Sequence, residues 1–432
     1  MELPEQLINA IKFYEKGNLE KTLNILDGVV YKKEHRHLVL KIYSSIYLKK
    51  KEWSKFIETN NKLLDFKEQK KQSLINIGHG KYNLGKISEA INYFENSIKE
   101  NGDNELVHQS LGVCYMEKGK YEKSIENFVK ALDLNKNNFK SAISTIYLLN
   151  FIKPRMNTRN NILNANEKII TLNQKIRKEI PDTNTLKEIL EKGEKYIEEY
   201  CDDVIYKESQ IFRRDSERLN CDRHFKVFNK FKVIPKYCFG CYKIQITVEN
   251  VMELIKLFFL FNCSYIEKSV LRKCMVETRN KVKGNYKGLI YFKNLEDSVT
   301  SLAKLKKKIN TSNIKTKAIE IKHGCTEFYN EYPEYKDINF TGPQKMNYND
   351  EWSKYEDAID SENTKNGGKE SLYTGSTVNL LTLADLLIIR NWLNYAKLLG
   401  DKSFEKIFTN NIRVNYLENV LKNQIDFRIN EL

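Results

Sequence analysis

Proline and glycine are scarce in this chain, with 6 and 18 among 432 residues, so no long Pro- or Gly-rich linker divides it. No apolar run reaches the roughly 18 residues that a membrane span needs. The nearest candidate, Val251 to Phe261, is broken by Glu253 and Lys256. The start, MELPEQLINAIKFYEKGN, has neither a basic n-region nor an apolar h-region, so no signal peptide is expected. Eight cysteines in a chain of this length lack the density of a secreted disulfide scaffold, and a reduced, cytoplasmic protein is the expectation. A Walker loop, a dinucleotide fingerprint, a Ser/His/Asp arrangement and a paired-carboxylate signature are all missing. No catalytic residue is therefore assigned, and an interaction protein is favoured over an enzyme.

What is present is an ordinary folded composition, 41% hydrophobic and 30% charged, in a chain long enough for two or three domains. The net charge of +15 is uneven. Between Cys201 and Cys325 there are 26 Lys and Arg against 13 Asp and Glu, whereas Thr326 to Glu370 holds 5 Lys against 11 acids. The basic charge sits in the middle of the chain, where it suits an anionic partner such as nucleic acid or simply a Lys-rich surface.

An internal repeat decides the first third. In ELVHQSLGVCYMEKGKYEKSIENFVKALDLNKN, Leu111-Gly112 and Tyr115 fall on a first helix, Gly119 and Tyr121 at a turn, and Phe128 and Ala131 on a second helix. Stepping back 34 residues gives Ile77-Gly78, Gly85, Ala90 and Phe94. A further step gives Tyr47 and Trp53, with the small residues mostly lost, and one more gives Ala10, Phe13, Gly17 and Leu26. Small residues such as Gly78, Gly112, Ala90 and Ser124 let paired helices approach, while Tyr115, Tyr121 and Phe128 fill the space between hairpins. This pattern resembles the tetratricopeptide repeat, over residues 1–152 only, with Phe139 to Ile152 as a capping helix before Pro154.

The resemblance implies an α-solenoid that binds a protein or peptide in a groove lined by the first helix of each repeat. Counted along those helices, the groove would present Leu38, Lys41 and Leu48, then Ile75, His79 and Tyr82, then Leu106, Gln109, Val113 and Met116. This lining is mostly apolar and departs from the Lys/Asn/Arg groove with which chaperone-binding members hold a carboxylate. An apolar peptide segment is the expected ligand, whether from a partner or from this same chain.

Residues 153–220 read as a helical connector, with Leu186, Ile189, Leu190, Tyr196 and Ile197 at helical spacing. Residues 221–325 read as a basic α+β domain. Tyr242, Ile244, Ile246 and Val248 alternate as a strand, Asn250 to Phe261 is an apolar helix, and Leu271 to Arg279 and Lys287 to Phe292 are strands. A helix over Glu296 to Ile309 and a strand over Lys317 to His323 complete a βαββαβ, ferredoxin-like order.

The RNA-recognition motif uses that order, but the positions for its stacking aromatics hold Lys287 and Leu289. Backbone-directed polyanion binding through Lys243, Lys273 and Lys322 remains open. Cys221-x2-His224 followed by Cys238-x2-Cys241 has spacing that suits structural zinc, against the plain alternative of a helix start and core thiols. A redox pair at Cys238 and Cys241, or a nucleophile pair at His323 and Cys325, is a further alternative.

Residues 326–376 form an acidic, aromatic extension with a linker around Gly367-Gly368, and residues 377–432 form C-terminal helices. Thr382-Leu-Ala-Asp385 is a capping box ahead of Leu386 to Leu399, a helix apolar on most sides that must be covered by the basic domain or by the repeat groove. A last amphipathic helix is expected from about Val414 to Gln424. The expected protein is multidomain and mainly α: an adaptor whose solenoid holds a protein segment while the basic domain engages a second, anionic partner. An enzyme acting on what the repeats recruit, or an RNA- or DNA-binding protein, is the rival.

Overall fold

The structure, a computed structural model, describes residues 4–28, 33–155, 160–173, 180–213, 220–262, 270–365, 381–408 and 416–432. Residues up to Ser141 belong to one compact unit, and Ala142–Ser361 with the described residues from 381 onward belong to another.

The first unit is four helical hairpins: α1 (Glu5–Glu15) with α2 (Leu19–Gly28), α3 (Arg36–Lys50) with α4 (Trp53–Leu63), α5 (Lys67–Asn83) with α6 (Ile87–Asn101), and α7 (Glu105–Glu117) with α8 (Tyr121–Leu134). A ninth helix, α9 (Phe139–Leu148), runs across the boundary at Ser141. In the third and fourth hairpins the close approach of the helices is enforced at one point. A Cβ on Gly78 would lie 2.6 Å from the Phe94 ring, and one on Gly112 would lie 2.5 Å from the Phe128 ring. Ser124 also donates to the Gly112 carbonyl at 2.6 Å, tying α8 to α7 where they are nearest.

The second repeat keeps this design with different residues. Ser44 occupies the small position, and Asn60 stands where the later repeats have Phe94 and Phe128. Its amide donates to Ser44 Oγ at 2.8 Å and accepts from Asn76 on α5 at 2.9 Å, so a buried polar ladder replaces the ring. The bulk lost there is regained from Phe56 and Ile57, which pack where Gly80 has no side chain. Of the small residues mostly lost from this repeat, the one at the closest approach is kept as Ser44.

The turn within each hairpin needs a left-handed residue. Gly17, Gly85 and Gly119 have φ of 77°, 75° and 68°, and the same position in the second repeat is Lys51, with φ of 58°.

In the second unit, α10 (Asn161–Leu172) and α11 (Thr183–Cys201) lead to β1 (Gln210–Arg213). There follow α12 (Cys221–Phe231), α13 (Lys236–Phe239), β2 (Tyr242–Val248), α14 (Val251–Asn262), β3 (Arg272–Val276), β4 (Tyr286–Phe292), α15 (Leu295–Thr311) and β5 (Thr316–His323). The five strands form one antiparallel sheet in the order β1-β3-β4-β2-β5. The edge strand β1 was not anticipated, because its four residues bury only Ile211 and Arg213 and carry no apolar alternation. One sheet face packs on α14, where Gly288 lets Leu257 and Phe261 reach the backbone of β4.

The acidic segment is structured. Helix α16 (Ser353–Lys365) brings Glu356 and Asp360 to Arg223 at 2.7 and 2.6 Å. Phe328 and Tyr335 pack with Phe228, Ile234 and Cys238. The 361–376 stretch, with Gly367-Gly368, lies mostly outside the described residues.

Helix α17 (Leu383–Leu399) is the most enclosed element, with Leu383, Ala384, Ile389, Trp392, Asn394, Tyr395 and Ala396 all lacking solvent contact. The expected capping box forms between Thr382 and Asp385. Its neighbours are α10, α11, α14, β1 and β3, all of the second unit, so it does not supply the repeat groove with a ligand. Two short helices, α18 (Leu417–Leu421) and α19 (Ile425–Ile429), close the chain in place of one longer helix. Residues 414 and 415 of the expected helix lie outside the described residues.

Replacing Lys51 by Gly should raise stability by about 1 kcal/mol, because a left-handed non-glycine residue carries a backbone cost of that order. Gly85→Ala should lower it by a similar amount. Urea unfolding of the full chain, followed by far-UV circular dichroism, checks both.

Candidate functional site

The residues expected along the repeat groove separate by burial. Leu106 is 59% exposed and Leu48 47% exposed. Lys41 is exposed, and Gln109, Val113 and Met116 are half-buried. The middle repeat behaves differently. Ile75 packs in the core formed by Phe94, Leu111 and Tyr115, and Tyr82 packs against the same cluster. His79 meets the Phe94 ring edge-on at 5.1 Å, and burial lowers its pKa. Leu38 packs against the cluster of the first hairpins. Of the residues expected along the groove, the exposed apolar ones therefore lie on α3 and α7.

In the second unit the sheet face away from Ile244 and Ile290 is strongly polar. Residue alternation and register place Lys243 between Tyr291 and Lys322, and Lys273 beside Leu289. Lys243, Lys273 and Lys322 thus share a face as expected, but they do not form an open basic patch. Lys243 is 8% exposed. Lys273 donates to Gln210 at 3.0 Å, and burial, then the charges of Lys243 and Arg279, push its pKa down to about 8. Lys322 pairs with Glu320 at 3.0 Å. A phosphodiester backbone needs exposed cations along a track, and this geometry does not offer one.

Lys287, at a position where RNA recognition would want an aromatic, is 2% exposed and pairs at 2.8 Å with fully buried Glu277. Arg279 holds the same carboxylate at 2.8 Å and reaches Glu327 at 2.8 Å. Burial alone would raise the Glu277 pKa, but the two cations outweigh it and hold it at about 2.

The expected zinc ligands do not converge. Among the described residues, no three His, Cys, Asp or Glu side chains are placed to hold one ion. His224 turns away to stack on Tyr237 at 5.3 Å. The Cys238 thiol sits in the apolar cluster with Phe228 and Phe328, and burial pushes Cys221 and Cys241 up to about 11 and 12. Residue spacing gave the reach of these side chains but not their direction.

His323 is likewise committed. Its ring is stacked between Tyr242 at 4.5 Å and Tyr335 at 4.2 Å, with Nδ1 facing the Tyr335 carbonyl at 2.7 Å and Nε2 facing the Phe239 carbonyl at 3.0 Å. Neither nitrogen is left to activate Cys325.

A cleft of about 180 Å³ also lies in this unit, walled by Tyr147, Phe151, Tyr206 and Phe212. The buried Arg213–Asp385 pair, 2.6 Å apart, lines it, as does Glu208, whose pKa burial raises. No sequence signal marked this place, because its parts are far apart in the chain.

Lys287→Met should cost about 3 kcal/mol by leaving the Glu277 carboxylate buried with one cation fewer, and Glu277→Gln in the same chain should recover most of it. Denaturant midpoints of the single and double variants read this directly. His224 gives a pH dependence. Burial, then the Arg223 charge, lower its pKa to about 4, against about 6.5 in the unfolded chain. The unfolded state then binds more protons between these values, so its contribution is intact above pH ~6.5 and is lost as pH falls towards ~4, by about 3 kcal/mol. Unfolding curves across that window should be flatter for His224→Gln.

The comparisons with known proteins bear on the first unit. Residues 106–138 match the family model described as tetratricopeptide repeat. No curated protein matches the chain in sequence. Among solved structures, MamA is similar at 16% identity over 34% of this chain and 84% of its own, with a TM-score of 0.31. YrrB, described as a TPR protein with an unusual peptide-binding site, is 12% identical over 33% of this chain and 74% of its own, with a TM-score of 0.29. A tetratricopeptide repeat protein from Parabacteroides merdae ATCC 43184 is 15% identical over 46% and 79%, with a TM-score of 0.32. Among the described residues no helix is long and apolar enough to cross a membrane. Within the N-terminal unit, residues 106–138 match the tetratricopeptide repeat, and the three hairpins before them have the same helix-turn-helix form.

Proposed function

We propose that this protein is an interaction scaffold that takes an apolar polypeptide segment on the first helices of its repeats. The carrying observation is the exposure of Leu48 on α3 and Leu106 on α7, with Val113 and Met116 half-buried along the same helix as Leu106. Large aliphatic side chains standing in water on the ligand-bearing helices of a repeat stack favour a partner that covers them. Ile75, His79 and Tyr82 act mainly as the wall behind that strip. The second unit reads as a ferredoxin-like βαββαβ arrangement from β2 to β5, extended at its edge by β1. A reducing, cytoplasmic setting fits an absence of disulfides among the described cysteines.

The test is selection of peptides from a random display library on the full chain, followed by affinity measurement. Selected peptides should be rich in Leu, Ile and Phe, and should bind Leu106→Glu/Met116→Glu at least about tenfold more weakly, a loss equivalent to about 1.4 kcal/mol. Selection of charged peptides, or affinity unchanged in the double variant, would contradict the reading.

A further inference from the structure

The cleft walled by Tyr147, Phe151, Tyr206 and Phe212 has three charged residues in its lining, Glu208, Arg213 and Asp385. Two of them cancel. Arg213 donates to Asp385 Oδ2 at 2.6 Å and to Asn262 at 2.9 Å, and its guanidinium lies over the Phe258 ring at 5.3 Å. Glu208 is different. It is exposed, and among the described residues its carboxylate makes no ion pair or hydrogen bond. The lining is left with a net negative charge. Asp385 reinforces that sign, because it is fully buried and its Oδ1 has no hydrogen-bond partner.

The wall beside Glu208 is aromatic and held in place. Asn391 donates to the carbonyls of Tyr206 and Glu208 at 2.8 and 2.7 Å, fixing the segment that carries both. Tyr206 is 5% exposed, and among the described residues its hydroxyl makes no hydrogen bond. Burial first, then neighbouring Glu208, Tyr147 and Asp385, raise its pKa, so both carboxylates act at this ring. Phe212 already carries a cation, the Lys273 ammonium 5.3 Å from its ring centre. Among the described residues no such cation stands over Tyr206.

An aromatic face with a carboxylate beside it attracts an organic cation, through the ring quadrupole and the charge together. Other ligand classes fit less well. An anion would meet a net negative lining. A hard metal ion needs about six oxygen ligands. Among the described residues no three His, Cys, Asp or Glu side chains are placed for one. Ile211 and Ile388 add apolar surface for the carbon part of a ligand.

We propose that this cleft binds a small organic cation, an alkylammonium group, with Glu208 as its ionic contact and Tyr206 as the ring it lies against. A volume of about 180 Å³ suits a small amine rather than a polypeptide segment. This site is independent of the peptide-binding surface proposed for the repeats.

The experiment is thermal unfolding of the full chain in n-butylammonium chloride, tetramethylammonium chloride, sodium chloride and sodium butyrate at matched ionic strength. One or both ammonium ions should raise Tm progressively with concentration beyond sodium chloride, as a ligand specific to the folded state does. Butyrate, with a similar alkyl chain and the opposite charge, should not. A stronger response to butylammonium assigns a primary amine that donates to Glu208. An equal or stronger response to tetramethylammonium assigns a quaternary group held by the rings. Glu208→Gln, at an exposed position, should need at least about tenfold more ammonium ion for the same rise. Tyr206→Leu should also weaken the response, and if that variant fails to fold, Tyr147→Leu at a half-buried position serves instead. Glu296→Gln, which removes an exposed carboxylate of α15 outside the cleft, should respond as the wild type does. The proposal is overturned if neither ammonium ion exceeds sodium or if butyrate matches them. It is equally overturned if Glu208→Gln responds as the wild type does, or if Glu296→Gln is weakened as much as Glu208→Gln.

Discussion

A helix that is apolar on most sides has to be largely surrounded, and α17 is such a helix. Its Leu386, Ile388, Ile389, Trp392, Leu393 and Tyr395 are all buried, so neighbours must arrive from several directions. They come from distant parts of the chain. Leu381 and Leu383 at its entrance are held by the side chains of Asn173 and Asn166 on the α10 side, and Trp392 donates to the Ser209 carbonyl beside β1. Tyr395 donates to the Glu277 carbonyl beyond β3, and its exit residue Asp401 caps the first turn of α14 by accepting from Val251. The second unit is therefore organised around a segment that comes almost last in sequence.

The repeat unit obeys a different rule. Each contact that shapes it links helices close in sequence, and glycine-to-ring contacts at Gly78 and Gly112 recur at the repeat spacing. Local contacts of that kind leave a periodic trace in the sequence, which is why the repeats could be read from residue types alone. The β-α order of residues 242–323 was legible for a similar reason, since period-two alternation is itself a local signal.

What escaped the reading is equally physical. Lys51 occupies a left-handed turn that glycine holds in the other three repeats, and only the register of the neighbouring repeats identifies the strain. The apolar character of α17 showed that it is buried, but not against what. The Cys and His spacing of residues 221–241 was compatible with a metal site, yet helix geometry turns His224 onto Tyr237 and packs Cys238 among aromatic rings. Lysines counted as surface charge proved to be of different kinds: ion-paired and buried at Lys287, paired and half-buried at Lys322, and largely buried along its stem at Lys243. Net charge does not separate these cases.

The dependence of the second unit on α17 is open to direct measurement. Hydrogen exchange can be followed by mass spectrometry in the full chain and in a chain ending at Ser361. The account requires that β2 and α14, residues 242–248 and 251–262, lose their protection in the shorter chain, while the amides of α5 to α8 retain theirs. Protection of β2 that survives removal of α17 would contradict the claim that this helix organises the unit.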